Sequence, residues 1–136
     1  MGHGSRHSRA ARLEIADVTM GRARLTLRID FGTDRALGPG KIRLLEAIGE
    51  TGSISQAGRL LGMSYRRAWL LVDDLNRCFR GPVVTTRPGG ARGGGALVTP
   101  FGQELVAKYR SIETRATAAA KRQLHQLEDS LRKRRR

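Results

Sequence analysis

Gly52-Ser53-Ile54-Ser55-Gln56-Ala57-Gly58-Arg59-Leu60-Leu61-Gly62-Met63-Ser64-Tyr65-Arg66-Arg67-Ala68-Trp69 is the stretch on which the reading of the fold turns. Ser53 and Gln56 have the S-x-x-Q spacing of a capping box, whose side chains satisfy orphan amides at a helix start. Ile54, Ala57, Leu60 and Leu61 then recur on one face, which predicts a helix from about Ile54 to Leu61, ended by Gly62. Ser64 is a second N-cap candidate, and Ala68, Leu71, Val72, Leu75 and Phe79 fall on one side of the helix that follows. Two short helices joined by a glycine-containing turn, the second opening on Arg66 and Arg67, read as a helix-turn-helix, which sets a recognition helix in the major groove. Plain packing of three helices is the other reading of this segment.

Outward from this stretch, Arg24 to Phe31 alternates polar and apolar residues with Leu25, Leu27, Ile29 and Phe31 on one face, the pattern of a half-buried strand. Gly38-Pro39-Gly40 breaks the chain, and Ile42, Leu45, Ala47 and Ile48 predict a helix that Gly49 and Gly52 stop. Downstream, Val83 to Arg87 and Ala96 to Thr99 read as two strands of a hairpin with a glycine-rich, Arg92-bearing tip, and the strand at 24–31 is a candidate to join them in one small sheet. Thr99 and Pro100 open a last helix with no Gly or Pro after Gly102, so the sequence predicts one helix running past residue 125. Leu105, Tyr109, Ile112 and Ala116 follow four-three spacing along it, and Leu124, Leu127 and Leu131 continue the stripe after a one-residue slip. A helix of about 30 residues reaches about 45 Å, more than a small domain covers. A homodimer is therefore expected, with Leu105, Tyr109, Ile112, Ala116 and Leu124 at its interface and two recognition helices addressing half-sites about one DNA turn apart or a multiple of it. The expected fold class is mainly α with a small β-hairpin wing: a winged helix-turn-helix followed by a long C-terminal dimerisation helix. Its parts are a flexible basic leader at 1–23, a DNA-binding domain at 24–99, the dimerisation helix at 100–131 and a basic tail at 132–136.

Charge points the same way. The chain of 136 residues carries 26 Lys and Arg against 12 Asp and Glu, a net +14, and such an excess repels itself unless a polyanion is the partner. Hydrophobic residues make up 39%, enough for a packed core, which argues against disorder along the whole chain. Arg132-Lys133-Arg134-Arg135-Arg136 reads as a basic arm for phosphates or as a solvated end. The apolar runs are far too short for a membrane span, and the polar first residues have no apolar signal-peptide core, so the expectation is no membrane and a cytoplasmic location. Cys78 has no neighbouring thiol or histidine and is read as buried packing. Lys41 lies in no phosphate-loop pattern, and the three histidines and scattered acids assemble no nucleophile, base or metal cluster, so the reading is not an enzyme, with no metal and no cofactor.

Candidate DNA contacts follow from position. Arg66 and Arg67 can make bidentate contacts to guanine or pair with phosphates. Ser64 and Tyr65 can bond to a phosphate or base edge, Ser64 being equally well explained as an N-cap. Ser53 and Gln56 can hold a phosphate on a helix N-terminus or serve only as a capping box. Arg87 and Arg92 flank and occupy the wing, where glycines allow close backbone approach to DNA. Trp69, the single tryptophan, reads first as packing.

Gly52 to Ala57, Gly62-Met63-Ser64-Tyr65-Arg66-Arg67-Ala68-Trp69 and Gly89-Gly90-Ala91-Arg92-Gly93-Gly94-Gly95-Ala96-Leu97-Val98-Thr99-Pro100-Phe101-Gly102 together resemble the N-terminal DNA-binding domain of the ModE family of molybdate-responsive regulators, itself similar to the LysR-type winged helix. The resemblance covers about residues 24 to 118. It implies a dimeric bacterial transcription factor that binds operators in double-stranded DNA, with the Trp69 position on the DNA side. Full-length members carry molybdate-binding domains after the long helix. This sequence ends at Arg136, so molybdate sensing is not expected within it. The alternatives to a sequence-specific regulator are a nucleoid-type architectural DNA-binding protein and a partner-binding adaptor.

Overall fold

In the computed structural model, which describes residues 23–88 and 95–133, the chain begins its regular structure with a short hairpin. Strands β1 (Ile29–Phe31) and β2 (Arg35–Leu37) pair antiparallel around a turn that holds Gly32 at φ 78°, a left-handed conformation that glycine adopts freely. Helix α1 (Pro39–Thr51) starts with Pro39 in its first turn, where the missing amide costs nothing, and ends at left-handed Gly52, whose N–H donates to the Ile48 carbonyl at 2.8 Å. Helices α2 (Ile54–Leu60) and α3 (Tyr65–Cys78) follow, then strands β3 (Val84–Thr86) and β4 (Ala96–Val98), paired antiparallel with Val84 opposite Val98. Helices α4 (Pro100–Ala119) and α5 (Lys121–Asp129) complete the order.

The described residues divide into two units, 27–112 and the flanking 23–26 with 113–133. In the first, Ile42, Leu44, Leu45 and Ile48 of α1, Ile54 and Ala57 of α2, and Ala68, Val72 and Leu75 of α3 bury together with Leu37, Val83, Val84, Ala96 and Tyr109. Each fully buried large aliphatic side chain contributes about 1.5–3 kcal/mol of transfer free energy. Phe79, just past α3, packs edge-on against both Phe31 and Phe101 at centroid distances of 5.9 Å, tying the first hairpin and the start of α4 to the end of α3. Gly102 lies so close to β3 that a Cβ there would stand 2.5 Å from the Val83 carbonyl oxygen, so only glycine fits. In the second unit, the Ala23 amide donates to the Glu128 carboxylate, and α5 buries no residue.

Several expectations are corrected. The alternation at 24–31 forms ladder only over Ile29–Phe31, and that strand pairs with Arg35–Leu37 and not with the second hairpin, which leaves two separate two-stranded sheets. The Gly38-Pro39-Gly40 breaker is itself a helix start, and α1 continues through Gly49. The single long C-terminal helix is two helices, because Ala120 at φ −95° and ψ 3° leaves helical geometry. The Ala120 N–H nevertheless donates to the Ala116 carbonyl and the Leu124 N–H to the Ala120 carbonyl. The fold class of a winged helix-turn-helix followed by one long dimerisation helix therefore gives way to five helices and two small antiparallel sheets among the described residues. Cys78 is half-buried, not buried. The leader through residue 22, the loop at 89–94 and the tail at 134–136 lie outside the described residues. No helix of the described residues is long and apolar enough to cross a membrane.

Candidate nucleic-acid interface

Helix α3 is placed by its own sequence. Ser64 accepts the Arg67 N–H at 3.1 Å and so starts the helix with Tyr65 and Arg66 in its first turn. Its inward side carries Ala68, Val72 and Leu75, and Ala68 nests so tightly on Gly58 of α2 that a Cβ at Gly58 would meet it at 3.2 Å. With that face committed, Tyr65, Arg66, Arg67, Trp69, Leu70, Asp73 and Arg77 are all exposed. Asn76 fixes the far end: its Oδ1 accepts the Val83 and Val84 N–H groups at 2.7 and 3.0 Å, and its Nδ2 donates to the Val84 carbonyl at 3.0 Å. The start of β3 is thus clamped to α3 by a side chain that the sequence reading passed over.

The charges along α3 differ from end to end. Near its C-terminus Arg77 pairs with Asp73 at 3.1 Å, and Lys41 of α1 pairs with Asp74 at 2.6 Å while also donating to the Ala36 carbonyl. Neither Arg66 nor Arg67 joins an ion pair among the described residues, so their cationic heads stand in solvent at the helix start. Tyr65 and Trp69, one turn apart, pack ring edge to face at 6.1 Å. Trp69 is 38% exposed and Leu70 56%, so the expectation of Trp69 as packing gives way to an exposed aromatic, while Leu70 points outward as helical spacing predicts. Leu70 lies four residues after Arg66, the helical spacing that sets both on the outward side of α3.

The other sequence-based candidates separate into groups. Ser53 caps α2 by accepting the Gln56 N–H at 3.1 Å, but the return half of the box is replaced, since the Ser53 N–H donates to Thr51 Oγ1 at 3.2 Å. The exposed Gln56 side chain is left on the surface. Arg87 is exposed beside the β3–β4 hairpin, and its N–H donates to the Gly95 carbonyl at 2.9 Å; Arg92 lies outside the described residues. Of the expected dimer residues, Tyr109 is corrected to a core residue at 1% exposure, with its hydroxyl donating to the Leu27 carbonyl at 2.6 Å, and Leu105 packs partly buried against the same core. Ile112 is exposed, and Ala116 and Leu124 are half-buried. Next to Tyr109, Arg110 grips Glu46 of α1 through two nitrogens at 2.8 and 3.1 Å, so this turn of α4 is fastened within the chain.

No family model matches the chain. Over 81 residues it is 49% identical to the molybdenum-pterin-binding protein MopB of Rhodobacter capsulatus, covering 60% of this chain and 30% of that protein. It is 41% identical over 100 residues to the molybdenum transport protein ModE of Azotobacter vinelandii, covering 74% and 36%. It is 39% identical over 71 residues to the DNA-binding transcriptional dual regulator ModE of Escherichia coli K12, covering 52% and 27%. The chain is similar to molybdenum-related regulators. It spans about a third of the length of these curated relatives. Their names are those of binding, transport and regulatory proteins and not of enzymes. The resemblance to an N-terminal winged-helix DNA-binding domain set apart from molybdate binding is corrected here, because the match reaches a protein named for binding molybdenum-pterin and another named for molybdenum transport. The same matches remove the ground for expecting no molybdate sensing.

Proposed function

We propose that this chain is a regulator that binds double-stranded DNA, with the N-terminal half of α3 entering the major groove. The observation that carries the reading is the exposed start of α3, where Arg66 and Arg67 stand without ion-pair partners among the described residues on a helix whose opposite face is locked into the core. A chain of net +14 supplies the long-range attraction to phosphates. Arg66 and Arg67 are assigned to base edges, Tyr65 and Trp69 to the same groove beside them, Ser64 and Gln56 to phosphates, and Arg87 and Arg92 to the DNA backbone. Ser53, whose hydroxyl already caps α2, has a capping role with phosphate contact through its surroundings. The protein acts in the cytoplasm as a homodimer whose contact uses Ile112, Ala116 and Leu124.

Selection of bound duplexes from a random pool at about 150 mM salt tests this, because weak phosphate binding is suppressed there. An enriched inverted-repeat site supports a dimeric, sequence-specific regulator. Bound DNA without an enriched motif supports architectural binding instead, and absence of binding removes the reading.

A second reading is that the chain takes part in molybdate binding, favoured by the relatives' names. Calorimetric titration with molybdate against sulfate separates the two: a preference for molybdate supports it, whereas equal weak binding reflects the basic surface alone.

A further inference from the structure

Tyr65, Trp69 and Leu70, at 61, 38 and 56% exposure, present apolar surface on the same exposed side of α3 as Arg66, which has no ion-pair partner among the described residues. A single exposed hydrophobe is ordinary, but three within six residues of a helix in a strongly basic chain call for a partner. The flanking guanidiniums of Arg66 and Arg67 fit a polyanion. The edge-to-face contact between Tyr65 and Trp69 sets the two rings side by side one turn apart, so they present adjoining apolar surface. Farther along α3 the exposed surface changes character: Asp73 and Arg77 satisfy each other, and Asp74 holds Lys41.

In the major groove the one methyl group on a base edge is the 5-methyl of thymine, where cytosine carries only a smaller C5–H and the purines present hydrogen-bonding atoms. Resting on the DNA-binding reading above, we infer that Tyr65, Trp69 and Leu70 form an apolar reader of thymine methyl groups, adjacent to the base pairs addressed by Arg66 and Arg67. The arginines then select guanine by hydrogen bonding, and the apolar column selects neighbouring thymine by burial of its methyl. Recognition therefore depends on a DNA sequence in which these bases adjoin.

The test uses the full chain and the duplex enriched by the random-pool selection, resynthesised with each thymine in turn replaced by uracil, which keeps the pairing and removes only the methyl. At one or two positions, binding is expected to weaken about fourfold per methyl lost. Trp69→Ala, Leu70→Ala or Tyr65→Ala should each bind the thymine duplex more weakly, and at least one should bind the thymine and uracil duplexes equally. All three side chains are exposed, and unchanged circular dichroism checks that each variant folds. Uracil without effect at every position, or an enriched site lacking thymine, overturns the inference while DNA binding stands. A uracil penalty that persists unchanged in all three variants overturns the assignment to these residues. If no motif is enriched the methyl reading falls while DNA binding stands, and if no duplex is bound both fall together.

Discussion

Helices α3 and α5 have the same kind of sequence and different fates. Both are amphipathic, yet α3 buries Ala68, Val72 and Leu75 inside its own unit, whereas α5 buries nothing and leaves Leu127 65% exposed. Apolar spacing shows that a helix needs a partner surface without saying which chain supplies it. For α3 the partner is α1 and α2, close in sequence, so its outward face is free for recognition. For α5 the proposed partner is a second copy of the chain.

The contrast breaks most readily where α3 is held. Leu75→Ala removes a fully buried side chain from the α1–α3 core, and the denaturation midpoint should reveal a loss of about 3 kcal/mol; a loss below about 1 kcal/mol would mean that this face is not what anchors the helix. Asn76→Ala strands the Val83 and Val84 N–H groups, with an expected cost of about 2 kcal/mol and faster hydrogen exchange at those two amides. Tyr109→Phe keeps the buried ring and removes only the donor to Leu27, so about 1 kcal/mol should be lost. Wild-type stability in that variant would show the hydroxyl to be dispensable. Smallest in stability is Leu124→Asp on α5, expected to leave unfolding of residues 27–112 within about 0.5 kcal/mol while light scattering shows a fall from two chains to one. A variant that stays dimeric would take α5 out of the interface.

The same contrast marks what the sequence makes legible. Local rules are visible: Ser53 and Ser64 cap the helices they precede because a short polar side chain can reach an amide three residues on. Non-local pairing is not. Residues 24–31 alternate as a strand should, but the turn at 32–34 offers β1 a nearer partner than the β3–β4 hairpin, and loop closure favours the shorter path. Four-three spacing placed Tyr109 on a dimer stripe, although one helix can face its own core at one turn and solvent at the next. The break at Ala120 carries no Gly or Pro to announce it. At the candidate interface the arginines are legible from their place after Ser64 and the outward side of Leu70 from helical spacing, while the exposure of Trp69, on the flank of the buried face, depends on how α3 meets α2.

The central claim is that the outward face of α3 reads DNA, and competition binding at about 150 mM salt tests it directly, with the selected duplex set against its scrambled counterpart for the native chain and for Arg66→Ala with Arg67→Ala. The account predicts that the native chain prefers the selected duplex by about a thousandfold or more and that the double variant loses most of that preference. Equal affinity of the native chain for both duplexes, or a preference untouched by the two substitutions, would contradict it.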